Sequence, residues 1–121
     1  MSSFHYKGEE LYVEGVPLSK IACEYGTPTY VYSRDDIETA YRNFDRAFGD
    51  YPHSVCYSVK ANSNIAVLNI LANLGSGFDI VSGGELQRVL KAGGTPSKVV
   101  FSGVGKTREE LIFALKAGIG C

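Results

Sequence analysis

Val55-Cys56-Tyr57-Ser58-Val59-Lys60, Gly77-Phe78-Asp79-Ile80-Val81 and Lys98-Val99-Val100-Phe101 are three short runs rich in β-branched and aromatic residues. Each precedes a segment of helical character: Ile65 to Leu74, Gly83 to Ala92, and Thr107 to Ala117. The runs start near residues 55, 77 and 98, a pitch of about 21–22 residues. Strand–helix–strand at that pitch predicts parallel strands joined by right-handed crossovers. The helix ends are marked as well. Ser82…Glu85 and Thr107…Glu110 have the spacing of a reciprocal N-terminal cap, and Gly93 and Gly118 stand where helices close in the left-handed region. The last residues, Gly118-Ile119-Gly120-Cys121, resemble the opening of a fourth strand. A closed eight-stranded barrel needs roughly 250 residues, so the expectation is the front portion of a longer (β/α)8 barrel protein, with a small three-layer domain as the alternative.

Upstream the pattern changes. Leu11 to Leu18 reads as a strand turning at Gly15, and Ser19 to Tyr25 as a short helix capped by Ser19 and ended by Gly26. Thr29-Tyr30-Val31-Tyr32 is β-prone. Ser33 then caps a helix whose first turn holds Asp35 and Asp36, and Ile37, Tyr41, Phe44 and Phe48 recur at helical spacing. The first 28 residues thus read differently from the rest.

Composition excludes several classes. The 121 residues are 45% hydrophobic and 21% charged, which is ordinary globular usage. Twelve basic against thirteen acidic residues leave a net charge of −1, which argues against a nucleic-acid surface. No apolar stretch approaches the ~18–20 residues of a membrane helix, and the first residues lack the apolar core of a secretory signal. Cys23, Cys56 and Cys121 have neither metal-site nor disulfide-framework spacing. A cytosolic chain without membrane or nucleic-acid partners is expected.

Lys60 carries the chemistry. It closes an apolar run at the carboxyl end of a parallel sheet, where α/β active sites lie. Period two puts it on one face with Cys56 and Ser58. A partly desolvated ammonium gives up its proton more readily, and the neutral amine can attack a carbonyl to form a Schiff base. A lysine merely reaching from a strand end into water gives the same pattern. Asp79 interrupts its apolar strand, either to orient Lys60 from the neighbouring strand or to satisfy backbone donors at the rim. Asn62 follows the lysine and braces the loop there. Ser82-Gly83-Gly84 is read as a helix cap rather than a phosphate cradle. Gly103-Val104-Gly105-Lys106-Thr107 fails as a phosphate loop because Val100 stands where a glycine is required. His53 precedes the first strand of the series and reads as a surface-loop residue. The stripe Leu111, Ala114, Leu115, Gly118 reads as core packing.

Tyr57-Ser58-Val59-Lys60-Ala61-Asn62 resembles the cofactor-lysine segment of the barrel-type (fold type III) pyridoxal-phosphate decarboxylases, which act on diaminopimelate, ornithine or arginine. Gly77 to Leu86, with its Ser-Gly-Gly-Glu-Leu ending, and Phe101 to Thr107 followed by Glu110-Leu111 are similar to the next two strand–helix junctions of that family. Val13 to Leu18 and Gly26 to Tyr32 are similar to its diaminopimelate branch. The resemblance implies that residues 34–121 open a pyridoxal-phosphate-binding TIM-type barrel and that 1–33 belong to a β-rich second domain. It implies Lys60 as the Schiff-base lysine holding pyridoxal 5'-phosphate, with Asp79 and Asn62 beside the cofactor. The implied reaction is decarboxylation of meso-diaminopimelate to L-lysine, by a protein that is a homodimer at full length. Ornithine, arginine and carboxynorspermidine are alternative substrates, and a small non-catalytic α/β binding module is the alternative class. The family's phosphate-binding glycine loops, its acidic partner for the pyridine nitrogen and its late cysteine do not occur before residue 121, so this chain alone is expected to be inactive.

Overall fold

The computed structural model describes residues 3–121. The chain forms two compact units, residues 1–43 and 44–121.

The first unit is built on an antiparallel sheet of β1 (Phe4–Lys7), β2 (Glu10–Val13) and β3 (Val16–Pro17), in that order. The strand read over 11–18 is therefore two strands around a turn at Glu14-Gly15, with Glu14 itself at φ 53°. β1 had no clear signal because only Phe4 on it is even half-buried. Helix α1 (Leu18–Tyr25) starts one residue before the expected cap: Pro17 occupies the N-cap, and the Ser19 hydroxyl donates to the Glu10 carboxylate instead. Thr29 to Tyr32 forms no strand, and Tyr30 is 90% exposed. β propensity needs a neighbouring strand to become β structure, and no described strand pairs with this segment.

Helix α2 (Arg34–Arg46) starts as its sequence predicts, the Ser33 hydroxyl accepting the Asp36 N–H at 3.0 Å. Glu14 adds a second tie, accepting the Asp35 N–H (3.1 Å) and the Ser33 hydroxyl (2.8 Å). Those donors hold its carboxyl below the ordinary value. The apolar stripe of α2 is shallow here: Ile37 and Tyr41 are half-buried, and Phe44 and Phe48 are exposed.

The second unit holds the parallel sheet. Its order is β4 (Cys56–Ser58), β5 (Gly77–Ile80), β6 (Val99–Phe101), alternating with α3 (Ile65–Asn73), α4 (Gly83–Lys91) and α5 (Arg108–Ala117). The chain end continues the pattern. Cys121 donates to Val99 O (3.2 Å) and its carbonyl accepts the Phe101 N–H (2.8 Å), the two bonds of a parallel bridge opposite Val100. Phe78, Ile80, Val99 and Phe101 are buried, as are Leu68 and Leu71 of α3, Leu86 and Val89 of α4 and Ala114 of α5. In the stripe read as core on α5, Ala114 alone is buried, whereas Leu111 and Leu115 are 42% and 77% exposed. α5 packs on α4 along one flank. Among the described residues no helix is long and apolar enough to cross a membrane.

The caps differ in detail. Thr107 and Glu110 form the full reciprocal cap. At α4 the Ser82 hydroxyl accepts the Glu85 N–H (3.2 Å), but Glu85 reaches back to the Val81 N–H (2.8 Å). The Gly83 N–H goes to Glu110 at 2.8 Å, so one carboxylate serves the starts of α4 and α5 together.

Candidate active site

The register of the parallel sheet decides which side chains meet. Ser58 lies opposite Asp79, and Asp79 opposite Val100. These three form one half-buried row, on the face opposite to Phe78 and Ile80. Gly77 fits between Cys56 and Lys98, where an added Cβ would stand 2.6 Å from Lys98 O and 2.7 Å from Cys56 Sγ. Burial, and then the Asp79 charge, push the Cys56 thiol above its ordinary value.

Lys60 lies beyond the strand rather than on it. β4 ends at Ser58, and Val59–Ala61 is a single 3₁₀ turn with Val59 fully buried. The buried Val59 anchors this turn on the apolar side while Lys60 is exposed at the carboxyl end of β4. No hydrogen bond or ion pair engages the Lys60 ammonium among the described residues. An unpaired amine at a parallel strand's carboxyl end has the chemistry to condense with an aldehyde.

Asn62 stands in the loop that follows. Its Oδ1 accepts the Asn64 N–H at 3.0 Å, an Asx turn, and its carbonyl accepts the Tyr57 hydroxyl at 3.3 Å. Asn64 in turn caps α3, accepting the Ala66 N–H at 2.9 Å. The segment bearing Lys60 is thus fixed on both sides, by a strand before it and a capped helix after it.

Asp79 meets hydroxyls rather than the lysine. Its Oδ2 accepts from Ser58 Oγ at 3.3 Å and its Oδ1 from Ser102 Oγ at 2.6 Å. Ser102 follows β6 directly and is held there by its N–H to Ile80 O at 2.9 Å. Sequence reasoning gave Ser102 no role. The strand pitch carried the signal, because it sets residue 100 beside Asp79 and residue 102 one step along the same face. Lys106 donates to the carbonyls of Ser102 (3.2 Å) and Gly103 (2.6 Å) and so closes its own loop. His53, in the loop before β4, contacts Asp45 and Tyr51 and belongs to neither cluster.

Among known proteins, the diaminopimelate decarboxylase of Pseudomonas fluorescens is 63% identical over all 121 residues, and the chain spans 29% of that relative's length. The crystal structure of an Aquifex aeolicus protein superposes with a TM-score of 0.92 at 44% identity, covering 98% of this chain and 29% of that one. The diaminopimelate decarboxylase of M. jannaschii, crystallised with L-lysine, superposes with a TM-score of 0.89 at 35% identity, covering 98% of this chain and 29% of its own. Residues 34–121, from the first residue of α2 through the Lys60 turn to the chain end, match the family described as pyridoxal-dependent decarboxylase, pyridoxal binding domain. The α/β architecture, the unpaired Lys60 amine and this match agree, and the chain belongs to the pyridoxal-dependent decarboxylase family.

Proposed function

We propose that the chain is the front portion of a pyridoxal-phosphate-dependent enzyme that decarboxylates meso-diaminopimelate to L-lysine, with Lys60 as the cofactor-bearing lysine. The observation that carries this reading is the Lys60 amine, exposed and without a partner among the described residues, on a braced turn at the carboxyl end of β4. Its surroundings fit the aldehyde end of the cofactor, because a primary amine free of ion pairing is what such a group condenses with. When bound, pyridoxal phosphate supplies the electron sink for loss of the carboxylate. The protein's own residues have other tasks. The 3₁₀ turn presents the amine, Asn62 and Tyr57 keep that turn in place, and Asp79 sets a negative charge one strand away. The 63% identity to a diaminopimelate decarboxylase and the L-lysine bound to a structural relative favour that substrate over ornithine or arginine.

In the same reading residues 1–33 belong to a β-rich second domain and 34–121 open the barrel. The change from an antiparallel to a parallel sheet and the family match beginning at residue 34 support this division. The full-length protein is then a cytoplasmic homodimer, which light scattering on the purified protein checks for its oligomeric part.

Borohydride reduction of the full-length protein with pyridoxal phosphate, followed by peptide mapping, tests the reading. The expected label is on Lys60, with loss of the visible cofactor band in Lys60→Ala. A label on another lysine overturns the assignment. A colourless full-length protein, unchanged by Lys60→Ala, favours a binding module instead. Product analysis with meso-diaminopimelate, ornithine and arginine in parallel decides the substrate.

A further inference from the structure

We infer that Ser58 and Ser102 act together as a leash on Asp79, holding its carboxylate off Lys60 so that the amine stays free to react. The inference rests on the reading of Lys60 as the reacting amine. Each oxygen of Asp79 takes one serine hydroxyl, Oδ2 from Ser58 at 3.3 Å and Oδ1 from Ser102 at 2.6 Å. Lys60 lies only two residues beyond Ser58, on the turn that follows β4, and Ser58 is the residue opposite Asp79. The four-carbon stem of a lysine gives it the reach to pair with a carboxylate on the adjoining strand. Here it does not, and the second ammonium near this cluster, Lys106, is likewise turned away, onto the carbonyls of Ser102 and Gly103. The other titratable groups beside this face are Cys56 on β4 and Cys121 opposite Val100. Neither is a cation, so neither competes for the carboxylate. Arg88 of α4 is directed to the Ser63 carbonyl in the loop after Lys60.

The chemical consequence is direct. An ammonium paired with a carboxylate holds its proton more tightly, and the fraction of neutral, nucleophilic amine falls. Two serines flanking β5, Ser58 at the end of β4 and Ser102 just after β6, prevent that pairing while keeping the negative charge in the site. They are positioning residues, acting on Lys60 through Asp79.

The test uses the full-length protein without cofactor and a small acetylating ester at neutral pH, with acetylation of Lys60 quantified by peptide mapping. The reagent reads the amine itself, so the outcome is separate from whether Lys60 carries the cofactor. In Ser58→Ala/Ser102→Ala the released carboxylate pairs with Lys60, and labelling slows by roughly two- to fivefold, the factor an exposed ion pair confers. Adding Asp79→Asn to that double variant restores the original rate, which a merely structural role for the serines would not do. Ser102→Thr keeps a hydroxyl and labels as the parent does. Labelling of the double variant at the parental rate overturns the inference, as does a slowing that persists after Asp79→Asn is added. Should the double variant fail to give a cooperative thermal melt, the single alanine variants carry the comparison. Slowing in either one, reversed by Asp79→Asn, supports the leash, and unchanged labelling in both overturns it.

Discussion

A single missing methyl group shapes the neighbourhood of the candidate site. At Gly77 a Cβ would be driven to within 2.6 Å of Lys98 O and 2.7 Å of Cys56 Sγ. The first of these is backbone, so it can yield only if β5 and β6 separate. Gly77→Ala is therefore expected to cost about 1–3 kcal/mol, as overpacking in a close-packed interior does, and to lower the thermal midpoint of the full-length protein. An unchanged melting curve would show that the two strands part easily at this point. The residues of the site were unequally legible. Lys60 was found because an apolar run that ends in lysine breaks the expected pattern, and Asp79 because an acid inside a β-prone run does the same. Ser102 was missed because a serine after a strand breaks no rule. Its role exists only through the register that sets it beside Asp79. The place of Lys60 on a 3₁₀ turn was also invisible, since strand and turn share the same local composition there.

Apart from the end of β4, strand and helix boundaries in the second unit were readable because turn chemistry and apolar patterning agree there. Two misread apolar segments, one in each unit, share a cause: sequence patterns record what an element can bury, and an element buries only what a neighbour covers. Thr29–Tyr32 and the leucines of α5 are the examples. Glu110 shows the reverse, a local cap signal with a longer reach. Its carboxylate accepts the N–H of Thr107, the cap of α5, at 2.9 Å and the Gly83 N–H on α4 at 2.8 Å. The Thr107 bond first, and then the Gly83 bond, hold its carboxyl below the ordinary value of 4.5. A group depressed on folding stabilises above its unfolded value and loses that contribution as pH falls through the folded one. The Glu110 share is thus complete above about pH 4.5 and disappears below it. Glu110→Gln, with only one acceptor oxygen, leaves one helix N–H without this partner. It is expected to lower the thermal midpoint at pH 7 by a few degrees and to weaken the acid dependence. Equal midpoints at pH 7 would mean that the two helix starts are not tied through this side chain.

At the scale of the whole molecule, pH acts from the other side through His53. Its ring contacts Tyr51 O at 2.7 Å and Asp45 Oδ1 at 3.0 Å, and stacks on Phe48 at 4.6 Å. The Tyr51 carbonyl first, and then Asp45, raise the imidazole above its ordinary value of 6.5. A group raised on folding contributes fully below the unfolded value and loses its contribution as pH climbs through the folded one. Thermal midpoints of the parent should therefore fall, relative to His53→Gln, as pH moves upward from about 6.5. Parallel pH profiles for the two proteins would refute this coupling.

The parallel sheet is covered on one face by its helices, while Ser58, Asp79 and Val100 stand half-buried on the other. Parallel sheets are stable when both faces are covered. The 121-residue chain presents Lys60 to water from the turn after β4, on a span that is 29% of its relatives' length. A water-exposed lysine condenses with an aldehyde reversibly and without preference over any other surface amine, because nothing excludes the water that reverses the step. Borohydride trapping of the isolated 121-residue chain with pyridoxal phosphate should therefore label Lys60 no more than Lys20 or Lys91, both also exposed. In the full-length protein Lys60 should dominate the peptide map. Strong selectivity for Lys60 in the isolated chain would show that the braced turn and the Asp79 cluster suffice to distinguish this amine without further elements closing over it.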